Sequence, residues 1–294
     1  MRAEIEEAIE LLHRGDDRSI DRALSLLQNT VFSFSMRVCG QREDAEDTMQ
    51  EVLLKSVPQL PKFDSPKALL VWLYKVAKNR CLMSRRKSKF APIQALSLEE
   101  LMPDRNELAQ LTADGRVNPE SFAIRSEQAS RLRQAVQKLP PQYRILLVLR
   151  DMEGLTDDEV AEITGVRAGT ARVRLHRARL FVRKELMRTW MAGSEKKVRG
   201  LRRPPQESRP AHCKAMFAQL SDYLDEQLDD SLCEELERHM TGCQPCQAFV
   251  ATLEATIEQC RRSERDCPPP EALKLRQELM QQYQQVNAAL RPKF

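Results

Sequence analysis

The sequence predicts an all-α protein built from a few small domains. Charged residues make up 31% of its 294 residues, aromatic residues make up 5%, and there are 9 glycines, a composition typical of helical proteins. No segment of any length alternates apolar and polar residues as a half-buried strand does. The length fits two or three small domains better than one large core. The net charge of +4 implies no partner by itself, so the distribution of charge along the chain matters more.

Several classes of protein are disfavoured by what the sequence lacks. The N-terminal 17 residues form an acidic amphipathic pattern without the apolar run of a signal peptide. No apolar run approaches the roughly 18–20 residues that cross a bilayer. No nucleophile–base constellation or phosphate-binding loop is visible, which argues against an enzyme. We therefore expect a cytoplasmic, non-enzymatic protein without a membrane segment. Six of the 8 cysteines follow residue 210, and in a reducing compartment such a cluster indicates metal or redox chemistry.

A helix-turn-helix is predicted between residues 156 and 188. Thr156 is a good N-cap and precedes acidic residues that the helix dipole favours, while Gly165 suits the left-handed turn that ends a helix. A second helix is expected from about Ala168. Eight Lys or Arg residues and one acid lie between residues 165 and 188. A basic second helix after a tight turn is the geometry that enters a DNA major groove, although a charge run on a helix also arises as a solvated face.

This stretch carries a specific family resemblance. LPPQYRILLVLRDMEGLTDDEVAEITGV followed by GTARVRLHRAR resembles region 4 of extracytoplasmic-function (ECF) sigma factors, the bacterial RNA polymerase subunits that recognise promoters. In that family region 4 binds the −35 promoter element. The resemblance implies −35 DNA binding by Arg167, Thr170, Arg172, Arg174, His176, Arg177 and Arg179.

The first 90 residues predict several helices, one of which interleaves aromatic and basic residues. This helix starts at Ser65 or Pro66, and its non-core face is expected to carry Trp72 and Tyr74 among lysines and arginines. Aromatic rings that stack on bases and cations that contact phosphates together favour binding of single-stranded DNA. The alternative is that Trp72 is a core residue, since tryptophan is heavily buried on average.

The same 90 residues resemble region 2 of ECF sigma factors through AEDTMQEVLLK and WLYKVAKNRCLMSRRK. The resemblance implies that core RNA polymerase is bound by Asp44, Asp47, Gln50 and Glu51. It implies that the unpaired −10 strand is bound by Trp72, Lys75, Asn79, Arg80, Arg85 and Arg86. The family often has an acid four residues after the Asn, where this sequence has Met83, which puts the −10 base preference in doubt.

Two linkers separate the predicted domains. Residues 91–125 are rich in Pro, Ser and acids, with a short helix expected near Leu98–Leu101. In the family the equivalent linker passes through the polymerase, where its acidic side chains would mimic the charge of nucleic acid. The alternative is that the linker is only a flexible tether. Residues 192–210 are basic and proline-rich and read as a tether that adds nonspecific DNA affinity.

A zinc site is predicted near the C-terminus from H-x3-C-x2-C, formed by His239, Cys243 and Cys246. Ser231 and Glu234 suggest a capping box for the helix that carries His239, Gly242 suits the end of that helix, and Pro245 suits the first turn of the next. The three side chains would then converge across a tight turn. A closed zinc site needs four ligands, and Cys213 is preferred for the fourth over Cys233 and His212.

The segment around Cys213, LSDYLDEQL and H-x3-C-x2-C resembles the zinc-binding anti-sigma fold, whose members inhibit sigma factors. The resemblance implies regulation in cis by an intramolecular contact between the zinc domain and the sigma regions. The single zinc is either structural or redox-sensing, since oxidised sulfur no longer ligates the metal. A disulfide that involves Cys260 or Cys267 belongs to the redox alternative. A purely structural zinc, in a domain that senses another ligand, stays open beside it.

The predicted organisation has six segments. They are sigma region 2 (1–90), an acidic linker (91–125), sigma region 4 (126–191), a basic linker (192–210), a zinc-binding anti-sigma-like domain (211–262) and an amphipathic tail (263–294). The apolar face of the tail is expected to pack either on the sigma domains or on another protomer. The predicted function is a sigma factor that directs RNA polymerase to promoters, assists DNA opening and is regulated in cis. The alternatives are a stand-alone helix-turn-helix regulator and a zinc or redox sensor that titrates polymerase without initiating.

Overall fold

The computed structural model describes residues 2–84, 95–103, 107, 126–194, 211–270 and 272–290. Within these ranges every regular element is a helix, which confirms the all-α prediction. No helix among the described residues is both long and apolar enough to cross a membrane. The chain forms two compact units, and each unit collects segments that are distant in sequence. Unit 1 contains Met1–Pro92, Val148–Arg167 and Glu264–Phe294, and unit 2 contains Ile93–Leu147 and Ala168–Ser263.

Unit 1 is a bundle of helices around one apolar core. Its helices are α1 (Arg2–Arg14), α2 (Asp17–Cys39), α3 (Arg42–Ser56), a 3-10 helix (Val57–Lys62), α4 (Pro66–Ser84), a π-helix (Val148–Met152), α8 (Asp157–Thr164) and α13 (Ala272–Leu290). Helix α2 is the centre of the bundle and contacts α1, α3, α4, the π-helix and α13. Its N-cap Asp16 accepts from Ser19 N, and Gly40 ends it with a φ of 75°.

One side chain of unit 1 corrects the sequence analysis. Tyr74 was expected on the exposed face of α4, but its side chain is buried and its ring meets Phe34 edge-on at 4.8 Å. The reason is tertiary: its hydroxyl donates to Glu153 Oε2 at 3.0 Å, 79 residues further along the chain. A buried tyrosine is tolerated when its hydroxyl finds such an acceptor.

Unit 2 is organised around one long basic helix, α9 (Ala168–Ser194). The other helices are α5 (Leu98–Leu101), α6 (Ser126–Lys138), α7 (Pro141–Leu147), α10 (Ala211–Leu224), α11 (Asp230–Gly242) and α12 (Gln244–Arg261). Helix α9 contacts α5, α6, α7, α10 and α12. One apolar cluster joins Leu101 of α5, Leu180 of α9, Leu220 of α10 and Phe249 of α12. The short helix expected at Leu98–Leu101 is confirmed and belongs to this core.

The helix that carries His239 begins earlier than the sequence suggested. Its N-cap is Asp229, whose side chain accepts from Leu232 N, so the predicted capping box of Ser231 and Glu234 is wrong. Both Asp and Ser cap helices well, and here Ser231 Oγ instead donates to the capping carboxylate at 2.6 Å. The predicted proline in the first turn of α12 is confirmed.

Candidate nucleic-acid interface and metal centre

The predicted helix-turn-helix elements are present as α8 and α9. Thr156 caps α8 in a reciprocal capping box with Glu159. Gly165 ends α8 in the left-handed conformation with a φ of 72°, where a side chain would be strained. Helix α9 begins at Ala168 as predicted. A short capped helix, a glycine turn and a long basic helix therefore follow one another, as in DNA-binding helix-turn-helix proteins.

The residues predicted to bind duplex DNA fall into two groups along α9. Arg167, Thr170 and Arg172 lie at its N-terminal end and are exposed, and Arg174 is half-buried. In this motif the N-terminal residues of the second helix reach the base edges. The first group therefore lies at the end of α9 that faces the bases in DNA complexes of this motif.

The second group packs inside unit 2. Arg179 is 1% exposed, and its guanidinium donates to both carboxylate oxygens of Asp225, the residue that follows α10, at 2.7 and 3.0 Å. Two parallel charge-assisted hydrogen bonds are the strongest form of this pairing. Arg179 is therefore covered by α10 in this structure.

The neighbouring residues are engaged in the same way. His176 is buried and its Nδ1 lies 2.7 Å from Ser221 Oγ, while Arg177 donates to the carbonyl of Leu96 at 3.1 Å. Ser221 in the last turn of α10 and Asp225 just after that helix are four residues apart, and they face His176 and Arg179, which are three apart on α9. Neither partner is predicted from the sequence, although both lie in LSDYLDEQL at helical spacing.

A third basic residue of α9 is held by α12. Arg183 lies over the ring of Phe249 at 3.7 Å, and its Nε donates to Thr252 Oγ1 at 2.7 Å. Burial lowers the pKa of the Arg183 guanidinium. The basic face of α9 from His176 to Arg183, about two helical turns, is thus covered by α10 and α12.

Acidification is expected to weaken unit 2 through His176. Burial and the adjacent Arg179 and Arg177 lower the pKa of His176 from 6.5 to about 4. The unfolded state therefore binds the proton first, and stability is lost as the pH falls from about 6.5 towards 4. The free energy of unfolding should therefore fall between pH 7 and pH 5. We expect this fall to be about 2 kcal/mol smaller in His176→Asn, which lacks the titrating group. Urea titrations of both chains at the two pH values measure this difference, and equal losses would contradict it.

The predicted polymerase-binding residues lie on α3. Asp47 and Gln50 are exposed and Asp44 is half-buried. Glu51 is instead bound by Lys55 and Arg80, each at 2.6 Å, and the hydrogen bond from Lys55 lowers the pKa of its carboxyl. Leu54, which the sequence analysis did not single out, is 39% exposed and follows Asp47 and Gln50 at helical spacing.

The residues predicted to bind the −10 strand lie on α4. Lys75 and Asn79 are exposed and Trp72 is half-buried, with its ring 6.0 Å from that of Phe63. Their spacing places all three on one helix face. Arg80 pairs with Glu51, whereas Arg85 and Arg86 lie outside the described residues.

The predicted zinc ligands converge where α11 meets α12. The ligand atoms of His239, Cys243 and Cys246 all lie within 4.8 Å of one another, and His239 Nε2 is 3.3 Å from Cys246 Sγ. Tetrahedral zinc with one nitrogen and one sulfur ligand separates these atoms by about 3.5 Å. Two thiols and an imidazole are the donor set that zinc prefers, so the three residues fit the metal.

The fourth ligand is only partly constrained. Cys233 is not part of the three-residue group, and its thiol faces the carbonyl of Leu228 at 4.0 Å. The side chains of Cys213 and His212 lie outside the described residues. Cys260 is buried and Cys267 is exposed.

Comparison with known proteins matches three families in chain order. Residues 24–90 match sigma-70 region 2, residues 129–182 match sigma-70, region 4, and residues 213–247 match a family described as "Putative zinc-finger". The first match contains α4, and the second contains α8 and the N-terminal part of α9. The third begins at Cys213 and ends one residue after Cys246.

Curated relatives align with the sigma portion. ECF RNA polymerase sigma factor SigW of Bacillus subtilis is 29% identical over 185 residues, covering 62% of this chain and 96% of the relative. RNA polymerase sigma-H factor of Pseudomonas aeruginosa is 28% identical, covering 62% and 93%. ECF RNA polymerase sigma factor SigE of Mycolicibacterium smegmatis is 30% identical over 154 residues, covering 52% and 56%.

One solved structure is also similar, the sigma factor RpoE in complex with the anti-sigma factor NepR from Bartonella quintana. It is 20% identical with a TM-score of 0.39 and covers 55% of this chain and 92% of that chain, which is too low a score to bear on the fold. The three family matches and the curated relatives define a sigma factor with a fused zinc-finger domain. The chain therefore contains sigma-70 regions 2 and 4 and is similar to ECF sigma factors along them.

Proposed function

We propose that this chain directs core RNA polymerase to promoters and assists DNA opening, and that its zinc domain regulates it in cis. The observation that carries the proposal is the covered face of α9, where Asp225 and Ser221 of the zinc domain engage Arg179 and His176. A basic helix that holds its own acidic partner is unavailable to phosphates. RNA synthesis itself belongs to the polymerase, and the protein acts in the cytoplasm, where transcription takes place.

The two DNA-binding regions divide the work. Arg167, Thr170 and Arg172 contact the −35 duplex from the exposed end of α9, and arginines there read guanine edges or hold phosphates. Arg174 is added as α9 enters the groove. His176, Arg177 and Arg179 join only after α10 and the Leu96 segment leave. Their present burial supports a regulated rather than a permanent interface.

Region 2 traps the unpaired −10 strand. Trp72 offers a partly open ring for base stacking, while Lys75 and Asn79 lie on the same face for phosphate and base-edge contacts. Unstacking each base costs a few kcal/mol, which these contacts offset. Arg80, Arg85 and Arg86 extend the basic path, Arg80 after release from Glu51.

Polymerase binds the exposed face of α3. Asp47 and Gln50 supply polar contacts and Asp44 lies at its edge. We add Leu54 to this surface, because an exposed leucine beside polar residues is typical of the apolar centre of an interface. Glu51 supports this surface through its ion pairs with Lys55 and Arg80.

The zinc domain holds one zinc ion through His239, Cys243, Cys246 and Cys213. The family match that begins at Cys213 supports this residue as the fourth ligand. Four protein ligands leave no open position for catalysis, so the metal is structural and stabilises the junction of α11 and α12. Oxidation of the thiolates would remove the metal, which keeps a redox role open.

Metal analysis of single variants tests the ligand set. Cys246→Ser and Cys213→Ser are each expected to lose the single zinc equivalent, because a three-ligand site binds much more weakly. Cys233→Ser and the exposed Cys267→Ser are expected to keep it. Zinc per chain is measured by elemental analysis after dialysis. Zinc lost in Cys233→Ser and kept in Cys213→Ser would show that Cys213 is the wrong choice for the fourth ligand.

Run-off transcription tests the function itself. Bacterial core polymerase is combined with a promoter pool and either the full chain or a chain that ends at Met191. Initiation by the shorter chain only is expected if the zinc domain inhibits in cis. Initiation by the full chain only would make the domain an activator. Binding to core without initiation by either chain would contradict sigma activity and favour the titrating sensor. Failure to bind core would favour a stand-alone regulator.

A further inference from the structure

The C-terminal helix α13 packs on the region 2 bundle in unit 1. It contacts α2, α3 and the 3-10 helix between Val57 and Lys62. Leu279 and Tyr283, four residues apart on one face, are 0% and 3% exposed. The tail's amphipathic pattern therefore packs on a sigma region of the same chain.

Polar contacts fix the register of this helix on α2. Gln28 Nε2 donates to the carbonyl of Ala272 at 2.9 Å, Arg276 pairs with Asp21 at 2.9 Å, and Gln284 donates to Asp17 at 2.7 Å. These bonds reach from the first to the fourth turn of α13. A helix held by a buried apolar face and three spaced polar contacts has a specific docking site.

Two curated relatives have too little sequence outside the aligned part for a counterpart of such a helix. The alignments cover 62% of this chain but 96% of SigW and 93% of sigma-H. The docked helix is therefore an addition to a domain that is complete elsewhere.

One buried arginine joins the tail to the helix-turn-helix segment. Arg37 of α2 donates through Nη1 to Glu153 Oε1 at 2.8 Å and through Nη2 to the carbonyl of Glu264 at 3.2 Å. Glu153 belongs to the segment that leads into α8, and Glu264 begins the tail. The side chains of Arg37 and Glu153 are 6% and 1% exposed, so solvent cannot replace either partner.

The first helix of the helix-turn-helix is itself docked on region 2. Helix α8 contacts α4, where Lys78 Nζ donates to the carbonyl of Ile163 at 2.8 Å. If the proposed function holds, regions 2 and 4 bind the −10 and −35 promoter elements. About 25 base pairs separate these elements, or about 85 Å at 3.4 Å per base pair. Helix α8 cannot remain on α4 while both elements are bound, so the docked arrangement is a closed state.

We propose that residues 264–270 and 272–290 form a C-terminal clasp, which holds the segment from Val148 to Arg167 on region 2 through the shared anchor Arg37. The clasp is a second regulatory element, separate from the zinc domain. Releasing the clasp removes the Glu264 carbonyl from Arg37 and loosens the site that holds Glu153. The consequence for transcription rests on the proposed function, whereas the coupling of α13 to α8 does not.

Hydrogen exchange of the full chain, without polymerase, tests the coupling. The variant Leu279→Ala/Tyr283→Ala keeps helix-forming residues but removes the buried face of α13. We expect amide exchange at least about tenfold faster in α13 and several-fold faster in α8 and the π-helix. Gln285→Ala, at an exposed position of the same helix, is the matched control and is expected to exchange like the unmodified chain.

Three outcomes overturn the clasp. In the first, α13 exchanges faster in the double variant while α8 is unchanged, which shows docking without coupling. In the second, α13 exchange itself is unchanged, which shows that its apolar face does not hold it. Exchange in α12 is expected to stay constant, and an increase there equal to that in α8 overturns the clasp as general destabilisation. Run-off transcription with the same proteins separates the clasp from the proposed function. If α13 and α8 exchange together but no chain initiates transcription, the clasp is supported and sigma activity is contradicted.

Discussion

Replacing Asp225 with alanine is expected to increase affinity for duplex DNA at least about tenfold. The change leaves Arg179, which is 1% exposed, without the carboxylate that holds it by two hydrogen bonds. An uncompensated buried charge costs about 3–5 kcal/mol, which favours separation of α10 from α9. The exposed arginine face then reaches phosphates. The affinity of the full chain for a random 30-base-pair duplex, measured over a series of salt concentrations, reports this release. The dependence of the logarithm of affinity on the logarithm of salt concentration is expected to steepen by the equivalent of about 1–2 phosphate contacts.

Glu235→Ala is the matched control for this variant. Glu235 is an exposed acid in the same zinc domain, so its removal changes the net charge equally without touching α9. The control is expected to leave affinity within about twofold, since a distant surface charge is largely screened. An equal increase in the two variants would show that net charge alone acts and that the Asp225 pair does not cover the helix.

Replacing Glu153 with alanine is expected to lower the free energy of unfolding of unit 1 by about 3–5 kcal/mol. Burial raises the pKa of the Glu153 carboxyl, while Arg37 and the Tyr74 hydroxyl oppose this shift. Alanine leaves the buried Arg37 without its anion and Tyr74 without its acceptor. Urea unfolding followed by tryptophan fluorescence measures the loss, and Trp190→Phe in all chains leaves Trp72 of α4 as the single reporter.

The double variant Arg37→Met/Glu153→Leu separates the pair's own contribution from the cost of a lone charge. It is expected to recover most of the stability lost in Glu153→Ala, because apolar residues of similar size often replace a buried ion pair at little cost. Tyr74→Phe is expected to cost about 1 kcal/mol, the usual value of one hydrogen bond. A Glu153→Ala chain as stable as the parent would show that this network does not hold the segment on region 2.

Local signals in the sequence predicted the elements of the helix-turn-helix accurately. The Thr156 cap, the Gly165 turn and the start of α9 near Ala168 are all confirmed. Caps and turns depend on backbone geometry within a few residues, so the neighbouring residue types are sufficient to specify them. The convergence of His239, Cys243 and Cys246 is confirmed for the same reason, because a tight turn brings the end of one helix to the start of the next.

The two wrong predictions show where local information is insufficient. Ser231 and Asp229 are both acceptable caps, and the helix uses the earlier one. Tyr74 lies among polar residues of α4, but a carboxylate 79 residues away makes its burial favourable. Neither choice is visible in a short window of sequence.

The sequence by itself determined the all-α fold, the family, the helix-turn-helix and three metal ligands, because each depends on residue spacing within one or two helices. Only the tertiary structure decided which basic residues of α9 are open and which are covered. Arg179 meets its partner 46 residues later, and Arg37 meets its partner 116 residues later. A buried charge is tolerated only beside its counter-charge, and which residues are neighbours across such separations is set by how the helices pack.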